Sequence, residues 1–230
     1  YDVTAPTISS TAPAQDASIK DTKVSYTLSE AVASGTVTFT RTGGSVDGSS
    51  PHEQDLSGDE LNTGAHNNIT LTDNPTLVDG AIYSIAFDAT DAAGNDATTV
   101  TSTGVTYDVT APTISSTAPA QDASVKDTKV SYTLSEAVAS GTVTFTRTGG
   151  SVDGSSPHEQ DLSGDELNTG AHNNITLTDN PTLVDGAIYS IAFDATDAAG
   201  NDATTVTSTG VTYDVTAPTI SSTAPAQDAS

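Results

Sequence analysis

The side chains with chemistry to offer in this chain are oxygen donors. Asp88-Ala-Thr-Asp91-Ala-Ala-Gly-Asn95-Asp96 packs three carboxylates and a carboxamide into a short stretch, and the same stretch returns as Asp194 to Asp202. Further carboxylates stand at Asp2, Asp16, Asp21, Glu30, Asp73 and Asp79, and again at Asp108 and Glu136. Carboxylate and carboxamide oxygens suit a hard cation, and calcium takes about six to eight of them in flexible geometry. The segment is not an EF-hand, because it lacks the D-x-[DN]-x-[DN]-G spacing. Without a metal, Ala-Gly-Asn-Asp also suits a plain turn with solvated acids. No other chemistry is spelled out. His52, His66, His158 and His172 have no partner spacing for zinc and read as exposed imidazoles. There is no nucleophile turn with an ordered His and Asp, no phosphate loop and no basic patch interleaved with aromatics. Asn68-Ile69-Thr70 matches a glycosylation sequon, as chance allows in a threonine-rich chain.

Charge points the same way. Six Lys and Arg face 30 Asp and Glu, for a net charge of -24 and a pI near 4.1. Such a field repels nucleic acid and anionic membranes, and it opposes compaction unless cations bind. Ca2+ is therefore the expected cofactor, although the acids would also keep an exposed chain soluble. With no Cys, Met or Trp and 5% aromatic residues, neither disulfides nor thiolate sites can reinforce the core. No segment is apolar enough for a membrane span, so direct membrane insertion is not expected.

These groups are set out on a repeat. The opening Tyr-Asp-Val-Thr-Ala-Pro at Tyr1 returns at Tyr107 and Tyr213, and the two full copies differ only at Ile19 and Val125. Residues 1–107 and 108–213 read as two domains of ordinary size, and 214–230 as the start of a third. Apolar residues alternate at period two, which predicts an all-β fold. Strands are expected at 7–11, 23–29, 35–42, roughly 52–56, 68–72, 81–90 and 97–107. Val24, Tyr26, Leu28, Val37, Phe39, Ile69, Leu71, Tyr83, Ile85, Phe87 and Ala89 would then face inward. Asp79-Gly-Ala-Ile-Tyr83-Ser-Ile85 has the spacing of the tyrosine corner of immunoglobulin-like β-sandwiches, in which the phenol bonds back to nearby backbone. Tandem sandwiches of that kind are the expected architecture.

That topology sorts the acids by pole. The entry segment and the loops after the second and sixth strands share one pole, gathering Asp2, Glu30, Asp91, Asn95 and Asp96 in the first repeat. The second gathers Asp108, Glu136, Asp197, Asn201 and Asp202. The opposite pole carries Asp16, Asp21, Asp73 and Asp79, and acids meeting at a junction would repel one another unless an ion neutralised them. Asp214 could complete such a site against the far pole of the second repeat. Asp47, Asp55, Asp59 and Glu60 fall in a glycine-rich and loop-rich middle, 43–67, around the strand expected at roughly 52–56, and these acids are either solvated or hold calcium that orders the stretch. The connection through Tyr107-Asp108-Val109-Thr110-Ala111-Pro112 has no Gly/Ser linker and should be short and stiff.

The D-x-T-A-P opening, the Ser29-Glu30 pair and the A-T-D-A-A-G-N closing motif resemble bacterial Ig-like domains, in particular the extender repeats of giant RTX adhesins. The resemblance spans the whole chain. It implies calcium-binding β-sandwiches at the extracellular bacterial surface, arrayed with neighbouring repeats as partners, that project a distal ligand-binding region supplied by other domains. A spacer, not an enzyme, is the expected function. Binding of a glycan, of ice through threonine ladders such as Thr36-Val-Thr-Phe-Thr40, or of a partner repeat is the alternative. Residues 213–218 should be ordered, with the remaining tail fraying or pairing with another chain.

Overall fold

A computed structural model describes residues 1–221. The chain is all-β and divides into two compact units: Tyr1–Ala111 with Asp197–Asn201, and Pro112–Thr196 with the residues from Asp202 onward. In the first unit the strands are β1 (Ile8–Ala12), β2 (Ser18–Ile19), β3 (Val24–Leu28), β4 (Ser34–Gly44), β5 (His52–Asp55), β6 (Gly64–Ile69), β7 (Ala81–Thr90) and β8 (Val100–Tyr107). They form a three-stranded sheet ordered β1-β3-β6 and a five-stranded sheet ordered β2-β8-β7-β4-β5. All pairs are antiparallel except β2 with β8. The second unit repeats the pattern with β9 (Ile114–Ala118) through β16 (Val206–Tyr213).

The strands form where β-branched and aromatic residues alternate with polar ones, and the two sheets bury their apolar faces on each other. Val24, Tyr26 and Leu28 of one sheet cluster with Val37, Phe39, Ala81, Tyr83, Ile85, Phe87 and Val105 of the other. Every inward position expected from the period-two pattern is buried except Ile69, which is half-buried. The tyrosine corner closes as anticipated. Tyr83 Oη accepts the Val78 N–H at 3.0 Å.

Two expectations need correction. The fifth strand is Gly64–Ile69 and not 68–72, because Leu28 pairs with Gly64 and Val24 with Ile69, which uses up β3 before residue 70. Leu71 and Leu77 are buried from an irregular connection instead of a strand. The last strand starts at Val100, since Asp96 bridges back to Thr90 and the Thr99 hydroxyl is held by the Asp88 carboxylate. In the middle segment 43–67 the strand expected at roughly 52–56 is β5, and a 3-10 turn at Gly58–Leu61 and the start of β6 follow it. In the tail, Asp214 N–H bonds the Val125 carbonyl at 2.8 Å. The expectation for residues 222–230 lies outside the described residues.

One glycine is fixed by a close approach. Gly44 ends β4 with φ 64°, and a Cβ there would meet the Gly80 carbonyl oxygen at 2.1 Å. Gly150 repeats this geometry, with Gly186 O at 2.1 Å. Backbone cannot yield as a side-chain tip can, so Gly44→Ala with Gly150→Ala is expected to cost on the order of 3 kcal/mol per repeat. Gly48→Ala with Gly154→Ala, where nothing lies within 4 Å, should stay within about 0.5 kcal/mol. Urea unfolding of the two double variants measures the contrast.

Candidate metal centre

The segment Thr4 to Thr7 leads into β1, Glu30 follows β3, and Asp91 follows β7, and these three ends meet at one pole of the first sandwich. One carboxylate oxygen each from Asp2, Glu30 and Asp91 lies within 4.8 Å of the others. Their environments differ. Asp2 is exposed, Glu30 half-buried, and Asp91 only 4% exposed.

Asp91 organises the loop that carries it. Its Oδ1 accepts the Ala93 and Asn95 N–H groups, each at 2.8 Å, and its Oδ2 accepts Asn95 Nδ2 at 2.7 Å. The Asn95 side-chain bond, with those backbone amides, holds its carboxyl below the usual carboxylate range despite burial. Asp91 therefore stays ionised beside two other acids. Asn95 Nδ2 also reaches the carbonyls of Asp2 and Thr4 at 3.4 and 3.5 Å, which ties the entry segment to the loop. The resulting donor set consists of hard oxygens only, as calcium requires.

In the second repeat the same positions are Asp108, Glu136 and Asp197. Asp197 accepts Asn201 N and Nδ2, each at 2.8 Å, and Asn201 Nδ2 donates to the Asp108 carbonyl at 2.9 Å. Asp96 and Asp202 are spent differently: they accept the Thr90 and Thr196 hydroxyls at 2.8 and 2.7 Å.

The remaining candidates join no group of three such ligands among the described residues. Asp16 takes φ 58°, with its amide on the Thr103 carbonyl at 2.9 Å. Asp21 pairs with Lys23 at 3.7 Å. Asp79 accepts the Thr110 hydroxyl at 2.6 Å and the Val109 N–H at 2.8 Å, which lower its pKa. Asp73 is exposed, and Asp214 accepts the Thr216 N–H at 2.9 Å.

Two acids of the middle segment prove structural. Asp47, 8% exposed, meets His52 Nε2 at 2.6 Å, accepts the Tyr83 hydroxyl at 2.8 Å and takes the Ser49 N–H at 3.0 Å. Glu60, 9% exposed, accepts the Ser57 N–H at 2.8 Å and the Thr72 N–H at 2.6 Å. Nor are the histidines free imidazoles, because His52 bonds Asp47 and His66 stacks on Tyr26 at 4.6 Å between centroids. Two signals pointed to this. A buried tyrosine-corner hydroxyl needs an acceptor, and Ser57-x-x-Glu60 has capping-box spacing.

Comparisons with known proteins place this architecture. No curated protein matches the chain. Chicken CNTN1 FN1–FN3 domains align at 12% identity and a TM-score of 0.44, covering 88% of this chain and 65% of that one. Fibronectin(III)-like modules of Clostridium thermocellum CbhA align at 15% identity and a TM-score of 0.41, covering 91% of this chain and 94% of theirs. Likenesses of that size carry no functional weight. The model of the bacterial Ig-like domain, in contrast, matches residues 2–106 and again residues 108–212. With nearly every residue of both repeats inside a match, the chain belongs to the bacterial Ig-like domain family.

Proposed function

We propose that these repeats are non-catalytic spacers of a bacterial surface adhesin, stiffened by calcium held at the entry pole of each domain. The observation that carries the reading is the approach of Asp2, Glu30 and Asp91 to within 4.8 Å at the point where the chain enters the sandwich. An ion bound there ties the entry segment to the body of the domain. Asp108 is the acid of that segment in the second repeat and follows β8 of the first directly. A cation on it restrains the connection between domains. Near-identical copies suit a length-setting role, with each ten-residue strand such as β7 contributing roughly 33 Å of reach. The distal ligand falls to other domains of the parent protein, and the location is the extracellular bacterial surface.

Small-angle scattering on the two-repeat chain tests this. The maximum dimension is expected to be larger and better defined in millimolar calcium than in EDTA. Asp108→Ala should give the EDTA-like profile even in calcium, with an unchanged far-UV spectrum. Superimposable profiles in calcium and EDTA would overturn the proposal.

A further inference from the structure

The spacer reading leaves one sequence motif unused. Asn68-Ile69-Thr70 and its copy Asn174-Ile175-Thr176 have N-x-[ST] spacing. Each sits where an edge strand leaves its sheet, since β6 and β14 (Gly170–Ile175) end the orders β1-β3-β6 and β14-β11-β9, the latter with β11 (Val130–Leu134) at its centre. Both asparagines and both threonines are exposed.

Other asparagines of the repeat provide the comparison. Asn62 donates to Asp59, Asn74 accepts the Thr22 hydroxyl, and Asn95 donates to Asp91. Asn68 uses only its backbone N–H, on Ser25 Oγ at 2.8 Å, and Asn174 does the same on Ser131 Oγ at 2.9 Å. Among the described residues their carboxamides have no hydrogen-bond partner, as is also true of Asn67 and Asn173, which lack a threonine or serine two residues on, and the Thr70 and Thr176 hydroxyls have none either. The φ values of 50° and 52° account for asparagine at these positions, which tolerate few other side chains. They do not account for a threonine two residues on that is exposed and makes no hydrogen bond through its hydroxyl. Beside each sequon lies an open hollow of about 350 Å³ in the first repeat, lined by Asp59, His66, Ile69, Thr70 and Thr72 among others.

We propose that Asn68 and Asn174 are N-glycosylation acceptors that take a sugar from a phosphate-activated donor. In the transfer a bond forms between Asn Nδ2 and the anomeric carbon while the bond from that carbon to the donor phosphate oxygen breaks. The phosphate leaves with the electron pair, and the amide nitrogen loses one proton. Bulk added there would also blunt the free edge of β6, which matters in a protein whose near-identical repeats are ready partners for edge pairing.

The folded two-repeat chain is incubated in two arms and read by intact mass. One arm has a soluble asparagine glucosyltransferase with UDP-glucose, the other a membrane oligosaccharyltransferase with a lipid-linked oligosaccharide. Two additions per chain are expected in at least one arm, and the productive arm identifies the donor class. Asn68→Gln should leave one addition, Thr70→Ala one, and Thr70→Ser two, with circular dichroism confirming that each variant is folded. Absence of addition to the folded chain in both arms overturns the proposal, whether or not a peptide of residues 64–74 is modified. Two additions that persist in Asn68→Gln or in Thr70→Ala overturn it equally.

Discussion

In millimolar calcium both repeats are expected to melt at least 10 °C above their midpoint in EDTA. The physical source is the charge held at the entry pole. Asp2, Glu30 and Asp91 bring three carboxylate oxygens within 4.8 Å, and the bonds from Asn95 and the loop amides keep Asp91 in its charged form. Those donors offset part of the repulsion without removing it. A divalent ion removes it, and because the unfolded chain scatters the three acids, the ion binds the folded state alone. At a free concentration about 100 times the dissociation constant, such binding contributes about 2.7 kcal/mol per site. For a domain of about 100 residues each kcal/mol moves the midpoint by about 4 to 8 °C. Magnesium should reproduce little of the shift, since it prefers a small octahedral shell and sheds water reluctantly. Glu30→Gln with Glu136→Gln should abolish most of it while leaving the midpoint in EDTA unchanged or slightly raised. Equal midpoints in calcium and EDTA for the unmodified chain would rule the site out as a calcium site.

The parts of this molecule that were legible in the sequence are those governed by short-range periodicity. Val24, Tyr26 and Leu28, or Tyr83, Ile85 and Phe87, announce their strands because one face of a sandwich is buried and the other solvated, so alternation carries the information. The 106-residue period made the two-domain organisation equally plain. What the pattern did not disclose was the use of polar groups inside the fold. Asp47 looks like a loop acid when its neighbours are Gly48, Ser49 and Ser50. Only the pairing of β4 with β7, which sets Arg41 opposite Tyr83 and Gly44 opposite Ala81, folds the following turn over the phenol. Glu60 likewise reads as solvated until the 3-10 turn directs it to Ser57 and Thr72. The misplaced strand has the same origin. Gly64-Ala-His-Asn-Asn-Ile69 has weak apolar alternation, and its edge position is fixed by register with β3, a long-range fact.

Asp47→Ala combined with Asp153→Ala is expected to destabilise each repeat by about 3 kcal/mol, more than Tyr83→Phe with Tyr189→Phe. The difference follows from what each change strands. Without Asp47, the buried Tyr83 hydroxyl, the Ser49 amide and His52 all lose a partner, and unsatisfied buried groups cost about 1 to 3 kcal/mol each when solvent cannot reach them. Without the phenol oxygen, Asp47 keeps two of its three partners and only the Val78 amide is orphaned, for about 1 to 2 kcal/mol. Acid unfolding should show the same network. The His52 hydrogen bond, aided by the Tyr83 hydroxyl and the Ser49 amide, holds the Asp47 carboxyl at about 2, against about 3.9 for an unfolded aspartate. Asp153 is held at about 2 in the same way, chiefly by His158. A carboxyl lowered by folding contributes stability that is complete above the unfolded value and is lost as pH falls through the folded one. The unmodified chain should therefore lose stability between about pH 4 and pH 2 more steeply than Asp47→Asn with Asp153→Asn, in which the same position cannot titrate. Urea unfolding at a series of pH values across that window gives both slopes. Other acids contribute equally to the two proteins, so only the difference bears on Asp47. Parallel slopes would mean that the Asp47–His52–Tyr83 network fills space in the fold without holding charge in it.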